Sequence, residues 1–584
     1  MNGYSHCNEP LAGKGNRNKN WNDLDHALKE LAQPARRALE LIFRQFAGLP
    51  FKLEHLSKAA KGRTTPADLR AAVPELLRKQ YLASVYKTWG DCLFFIPREH
   101  LRFLQQYWIR PGLAPRNGSD MRLMKEVKRG LALDLFRSLV WIARHGLPVT
   151  AKGVIHRKAV DKLSQQTALQ QEDVAGLSLS YSHQDIYPDQ TAIMLDMLLE
   201  LKIIHQGSKA WRLNVSELSL WLKRDLTEMN EVLFQRVLSK FVPAEAELQH
   251  FVHVLSSPDW LEGEWYSYDQ VIAWLQEERL LRRELPEARQ SWLWSWLEAM
   301  CGFGWLELGC DHAGERAFRW INLPLGRGLS RSGSKSSYEG AVRSCFYVQP
   351  DFEIMVPPEV PFSVRWELEA FTESRVTDRL CIYRITSEAV SKGIRLGCSL
   401  ADMLSCLRRY SPGIPSNVAA AMEEWGRQKE ETRGEVLFPK LDNPTSATSE
   451  HGETPSEVET LWGILVYGEN MAAYHPYNAI PQQDELFPGL EQIPGMWLKM
   501  KRSYHPSTTR QMVDQAIQWQ TMLALQIGGE MVEFLPVRLE EGEDWRVKGK
   551  LFSSRDSNEC DAVLAPKDWE SVRLQLPLMD KGHE

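Results

Sequence analysis

A multidomain α+β chain, predominantly helical, is the fold class predicted here, on three observations. At 584 residues the chain exceeds what a single hydrophobic core supports, so several domains are expected. Leucine- and aromatic-rich helical patterns are repeatedly followed by two short apolar strands around a Gly-containing turn. Two polar stretches, 324–341 and 429–458, divide the sequence. The expected order is a polar tail (1–33), three helix-and-hairpin units (34–109, 122–222 and 230–323), a basic Gly/Ser linker (324–341), a small α+β domain (342–428), a disordered linker (429–458) and a β-rich module (459–580).

Composition narrows the function classes. Apolar residues make up 43% and charged residues 25%, ordinary for a globular chain. No run approaches the roughly 18 apolar residues of a membrane span, so no membrane partner is expected. Met1 to Asn20 lacks the apolar segment of a signal peptide. The nine cysteines contain no Cys-x-x-Cys and read as free thiols of a reducing, cytoplasmic compartment. Net charge is −6, unevenly spread: residues 1–130 hold roughly 23 basic and roughly 12 acidic side chains, leaving about −17 for the remainder. A basic front on an acidic body suits a chain that touches an anion with one part, although a solvated basic face gives the same balance.

The first unit is the clearest. Ala38, Leu41, Ile42 and Phe46 share one face of a helix stopped at Gly48-Leu49-Pro50, and a short second helix spans about Leu53 to Ala60. Thr65-Pro66-Ala67-Asp68 reads as an N-cap, a Pro in the first turn and an acid, opening a third helix with Leu69, Val73, Leu76 and Leu77 inside. Pro74 within that helix is expected to kink or split it. Tyr81–Tyr86 and Cys92–Ile96 then form a hairpin. Three helices and a hairpin are the order of a winged helix, in which the third helix can enter the major groove while the wing grips the backbone. Arg63, Thr64, Arg70, Arg78 and Lys79 on or near that helix, with Lys87 in the wing, are the candidate DNA-binding residues. Protein docking is the other use of such a unit.

After a Pro/Gly loop (110–118) the same order recurs, stretched. Helices cover 131–144, 151–163 and 192–201, with a long polar insertion before the third, and a hairpin follows at 203–205 and 211–213. A third copy has helices at 268–275 and 292–300 and a hairpin at 304–307 and 317–321. Its Trp292, Trp294 and Trp296 suit a base-stacking platform on paper, but aromatics at these helical positions are more often core.

The linker that follows contains Gly328 to Ser336, which differs from a phosphate-binding loop by an extra Ser334 and by the lack of a preceding apolar strand. Beyond it lie Phe346-Tyr347-Val348, then Gln349-Pro350-Asp351-Phe352, then Ile354-Met355-Val356. Asp378-Arg379, the strand through Tyr383-Arg384, and Pro415-Ser416-Asn417 leading a helix to Trp425 complete the stretch. This pattern resembles the N-terminal, helicase-associated domain of the XPB family of DNA helicases in its motorless bacterial form. The matching positions are Gln349, Pro350, Asp351, Asp378, Arg379, Tyr383, Arg384, Pro415, Asn417 and Trp425. The resemblance implies a small α+β domain, a role in DNA repair or transcription, and partners among DNA, a separate helicase ATPase or a transcription or repair subunit. Asp378, Arg379 and Arg384 equally suit a structural ion pair. Neither motor lobe of such a helicase is legible: no phosphate-loop lysine with its acidic metal ligand occurs.

The C-terminal stretch has a strand-like Leu461–Tyr467, a helix at 509–519 and strands at 522–527, 531–536, 545–549 and 562–564. One helix before a twisted sheet suggests an SH3-like or Sm-like barrel, weakly similar to the WYL domains of bacterial regulators, with Tyr504, His505, Arg510 and Trp519 as candidates. Nuclease, zincin, zinc-cluster and serine-hydrolase patterns all fail on spacing, so no catalytic residue, metal or cofactor is expected. The expectation is therefore a non-enzymatic, helicase-associated DNA-binding or adaptor protein, cytoplasmic and nucleoid-associated if it binds DNA. The alternatives are a docking subunit of a separate motor and, less favoured, a helicase in its own right.

Overall fold

The computed structural model describes residues 21–324, 345–377, 381–427, 438–441, 474–541, 545–553 and 559–577, except 88, 89, 91, 182, 208, 244, 258 and 478. The basic linker and the strand expected at Leu461–Tyr467 lie outside these residues. The fold is mixed helix and sheet, as the α+β class requires, and it divides into two compact units: 1–109, 244–246 and 455–584 form one, and 110–243 and 247–454 form the other.

In the first unit, the helix Gln33–Phe46 precedes a single bridging residue, Phe51, paired with Phe94. The short 3-10 turn Leu53–Lys58 and the helix Pro66–Arg78 follow, then the strands Ala83–Lys87 and Cys92–Phe95. Thr65 caps the Pro66 helix: its Oγ1 accepts from Asp68 N at 3.2 Å while its own N–H donates to Asp68 Oδ2 at 2.7 Å. Of the kink or split expected at Pro74, the split does not occur: the helix runs unbroken to Arg78. The proline forfeits one hydrogen bond to the Arg70 carbonyl but takes its ring into the core, where Leu69, Val73 and Leu76 are fully buried.

The C-terminal part of this unit has a helix, Pro506–Trp519, followed by five antiparallel strands, Leu523–Ile527, Glu530–Glu540, Arg546–Ser553, Glu559–Leu564 and Ser571–Leu574. The last strand returns to pair beside the first, so sheet order is fourth, third, second, first, fifth. Val513, Ala516 and Trp519 seal the helix against Leu523, Phe534 and Val572, and Ala67 and Ala71 of the Pro66 helix belong to the same core. A further short strand, Tyr474–Pro476, pairs antiparallel with Ala83–Lys87.

In the second unit the connectivity of the first 109 residues occurs twice more. The helix Leu131–His145 leads to the strand Leu147–Pro148, the helices Arg157–Ser164 and Asp189–Glu200, and the strands Ile204–His205 and Ala210–Leu213. The insertion between the second and third helices is partly helical, at Gln171–Val174. The helix Ala246–Leu255 leads to the strand Trp265–Ser267, the helices Tyr268–Glu277 and Glu287–Gly302, and the strands Leu306–Cys310 and Arg316–Trp320. Each time the first strand pairs with the last and the last with the middle one. The tryptophans of the third copy divide by depth: Trp292 and Trp296 are buried and stacked at 5.4 Å, while half-buried Trp294 lies under the Arg316 guanidinium.

The stretch from residue 345 adds a four-stranded antiparallel sheet and four helices. Tyr347–Val348, Glu353–Val356, Cys381–Arg384 and Glu373–Thr377 lie in that spatial order. The helices Phe362–Glu369, Ser387–Arg395, Leu400–Tyr410 and Ser416–Arg427 complete it. Phe438–Leu441, within the stretch read as linker, packs onto it: Phe438 is buried with its ring 4.7 Å from that of Trp366, whose Nε1 donates to the Pro439 carbonyl at 3.0 Å.

Candidate nucleic-acid interface

Gln349-Pro350-Asp351-Phe352 forms the turn between the first two strands of the four-stranded sheet. Phe352 N donates to the Gln349 carbonyl at 3.1 Å, Gln349 N donates to the Glu353 carbonyl at 2.8 Å, and Phe352 takes the left-handed conformation at φ 72°. Asp351 Oδ1 accepts from Glu353 N at 3.2 Å. Asn417 reaches back from the Ser416–Arg427 helix and donates to the Pro350 carbonyl at 2.7 Å, while the Trp425 ring lies 5.6 Å from that of Phe352. The Pro415 carbonyl accepts the first bonds of that helix, from Val418 and Ala419. Gln349, Pro350, Asp351, Asn417 and Trp425 therefore meet at one corner, where their contacts fasten a turn to a helix. Tyr383 is buried beneath the sheet, and burial pushes its hydroxyl pKa well above the usual value. Arg384 is exposed, opposite Glu353 on one flanking strand and Glu373 on the other. Asp378 and Arg379 lie outside the described residues.

This domain is joined to the Leu131–His145 helix by a buried charge cluster. Glu369 has no exposure, and its two carboxylate oxygens accept from Arg137 Nη1 and, at 2.8 Å, Arg144 Nη2. Arg137 also donates to Ser374 Oγ, and Arg144 to the Glu369 and Thr372 carbonyls. Phe136 packs edge-on to Phe362, ring centroids 5.3 Å apart, and fills the apolar part of the joint. Neither arginine was singled out in the sequence, although their spacing of seven puts both on one helix face. The partner, Glu369, lies more than 200 positions away, so nothing local marks the pair.

The basic candidates of the first unit are dispersed. Arg63 is exposed before the Pro66–Arg78 helix, and Thr64 is half-buried, its backbone bridged to Lys61. Arg78 and Lys79 are exposed at the helix's far end. Arg70 lies between them and turns inward: its Nη2 donates to the Trp519 carbonyl, its guanidinium lies 5.8 Å from the Phe487 ring centroid, and burial lowers its pKa. Lys87 ends a strand, its backbone opposite Tyr474. The C-terminal candidates are also engaged within their own module. Tyr504 donates to the Met496 and Met500 carbonyls, His505 caps the Pro506 helix through Ser507, Arg510 pairs with Glu541 at 3.2 Å, and buried Trp519 donates to the Pro488 carbonyl.

Phe438–Leu441 walls a cavity of about 560 Å³ whose other sides include Trp366, Cys398, Cys406 and Arg409. Burial raises both thiols, that of Cys398 to about 12, so neither is a thiolate at neutral pH. Among the described residues no group of three His, Cys, Asp or Glu side chains is placed to hold a metal ion, and no helix is long and apolar enough to cross a membrane.

Residues 346–441 match the family described as Helicase conserved C-terminal domain. The chain carries a helicase-associated domain. The matched range takes in the turn, the helix that fastens it, Glu369 and the docked Phe438–Leu441 segment, and covers under a fifth of the chain. No curated protein matches the chain.

Proposed function

We propose that this protein is a non-enzymatic DNA-binding or adaptor protein of DNA repair or transcription, in which a helicase-associated domain of the XPB N-terminal type is carried by winged-helix repeats. One observation carries the reading: the domain that matches a helicase family is seated, through Glu369, on the first helix of a helix–strand–helix–helix–strand–strand repeat, the connectivity of a winged helix. The turn-fastening contacts of the family positions add to it, because they engage Pro350, Asn417 and Trp425 in holding the turn to its helix.

A second reading, a docking subunit of a separate helicase motor, is favoured by Arg70. The middle of the helix that would enter a major groove is occupied by the chain's own C-terminal module, and the outer edge of its hairpin by Tyr474–Pro476. Fluorescence anisotropy of the purified chain with duplex, forked and single-stranded DNA, at low and near-physiological salt, separates the two. Under the first reading binding is present and falls steeply with salt, and Arg63, Arg78 and Lys79 changed together to Ala reduce the salt slope. Absence of binding at low salt leaves the docking reading, and DNA-stimulated ATP hydrolysis by the pure protein overturns both.

A further inference from the structure

In the C-terminal module, exposed methionines and cations share one patch. The short helix Gly495–Lys499 turns Trp497 into the core and leaves Met496 outside. Met500, four residues on, falls on the same side, and the Tyr504 hydroxyl closes the loop from within hydrogen-bond reach of both methionine carbonyls, at 3.2 and 3.3 Å. Lys501 links the loop to the strand Glu530–Glu540, where its ammonium rests on the Met531 sulfur. Met496, Met500 and Met531 are 46%, 47% and 39% exposed, and among the described residues Met124 is the one other methionine as open. Three of the four exposed methionines therefore belong to this patch.

The charges on the patch have one sign. From Ile493 to Val513 the chain holds four cations and no carboxylate. One of them, Arg510, is closed onto Glu541. Lys499, Lys501 and Arg502 are all exposed, and none makes an ion pair among the described residues. Arg502 is held in place by its backbone, which bridges Val572 at the end of the five-stranded sheet. Of the acids around Met531, Glu530 alternates to the opposite face of the strand, and Glu533 shares its face without pairing with any of the three cations. Glu570 accepts from Gly529 N at 3.1 Å.

Thioethers are flexible and polarisable and adapt to apolar side chains of many shapes, while a ring of cations selects carboxylates. The patch has no stacking platform for bases: Trp497 is buried, and the Tyr504 hydroxyl is turned to its own loop. We propose that this surface docks an acidic peptide segment of a partner protein. Its aliphatic or aromatic side chains lie against Met496, Met500 and Met531, and its carboxylates on Lys499, Lys501 and Arg502. The inference rests on the adaptor and docking readings above and gives the chemistry of the partner.

The full chain is panned against random peptides displayed on phage, and the selected sequences are synthesised, labelled and titrated by fluorescence anisotropy. They are expected to combine Asp or Glu with Leu, Ile or Phe. Lys499→Glu with Lys501→Glu is expected to weaken them about tenfold or more and to flatten their salt dependence. Met496→Ser with Met500→Ser is expected to weaken them about tenfold with the salt dependence kept. All four side chains are exposed, so both variants are expected to keep the wild-type thermal midpoint, which separates lost docking from lost folding. Labelled duplex and single-stranded DNA are titrated beside the peptides, and the chain alone is sedimented. Loss of DNA binding in the lysine pair, with no acidic peptide selected, makes the patch a nucleic-acid surface. Self-association that the same substitutions abolish makes a second copy its occupant. Either result overturns the proposal. If the selected peptides bind both variants as tightly as wild type, the surface is wrong and the docking reading survives. If no peptide is selected and DNA binds, the surface and the docking reading fall together and the DNA-binding one remains.

Discussion

Asp173 shows how single residues hold the second unit together. Its carboxylate is almost fully buried, yet it accepts from Lys125 and Lys128 and from the backbone of Gln170 at 2.9 Å, the last as part of a capping box. Burial alone would raise its pKa. The three donors outweigh it and hold the group below the usual carboxylate range. A carboxyl whose folded pKa is depressed contributes stability that is complete above the unfolded value and is lost as pH falls through the folded one. Asp173→Asn is therefore expected to cost about 1–3 kcal/mol at pH 7, read from urea denaturation. The gap should close as pH drops below about 4, where the wild type loses the same charge. A pH-independent difference would show that shape, not charge, is what Asp173 supplies. Its lysines sit in the basic front that composition reveals, but only folding shows that part of that excess is neutralised by residues downstream.

At the scale of elements, the unit of organisation is the join between the Leu131–His145 and Phe362–Glu369 helices. A fully buried carboxylate clamped by two guanidinia adds modest net stability compared with an apolar replacement, but removing one partner strands the others. Glu369→Ala leaves Arg137 and Arg144 mostly buried without their acid and is expected to destabilise the second unit by about 3–5 kcal/mol, seen as a lower urea midpoint. A change under about 1 kcal/mol would mean that water or Ser374 replaces the carboxylate. The helices themselves were legible: the Thr65–Asp68 box and the apolar faces at three- and four-residue spacing predict the elements found near them. What escaped were elements too short or too plain to carry a period, such as Phe51 acting alone as a strand, Tyr474–Pro476, and Ser571–Leu574 closing the five-stranded sheet.

For the whole molecule, chain order and spatial grouping differ. Residues 1–109 and 455–584 form one compact unit, with Ala67 and Ala71 in the same core as Trp519 and Leu574. The two fragments made separately are expected to lack a cooperative thermal transition and to regain one when mixed, because each exposes the apolar face that the other covers. Independent cooperative unfolding of both, with no association by analytical ultracentrifugation, would refute this. The fragment 110–454 is expected to unfold cooperatively by itself.

Helix faces, caps, turn residues and the helicase-like motif string all depend on neighbours within a few positions, so the order of amino acids was enough to locate them, and with them the α+β class and the thrice-repeated helix-and-hairpin order. Function depends on which surfaces stay open, and that is a matter of distant partners. Arg70 reads as an exposed basic residue on a recognition helix until its carbonyl partner, 449 positions downstream, draws its guanidinium inward. Arg137 and Arg144 read as ordinary helix arginines until Glu369, more than 200 positions away, gathers them onto one carboxylate. Desolvation and ion pairing act between whatever groups packing brings together, and only the folded chain says which those are.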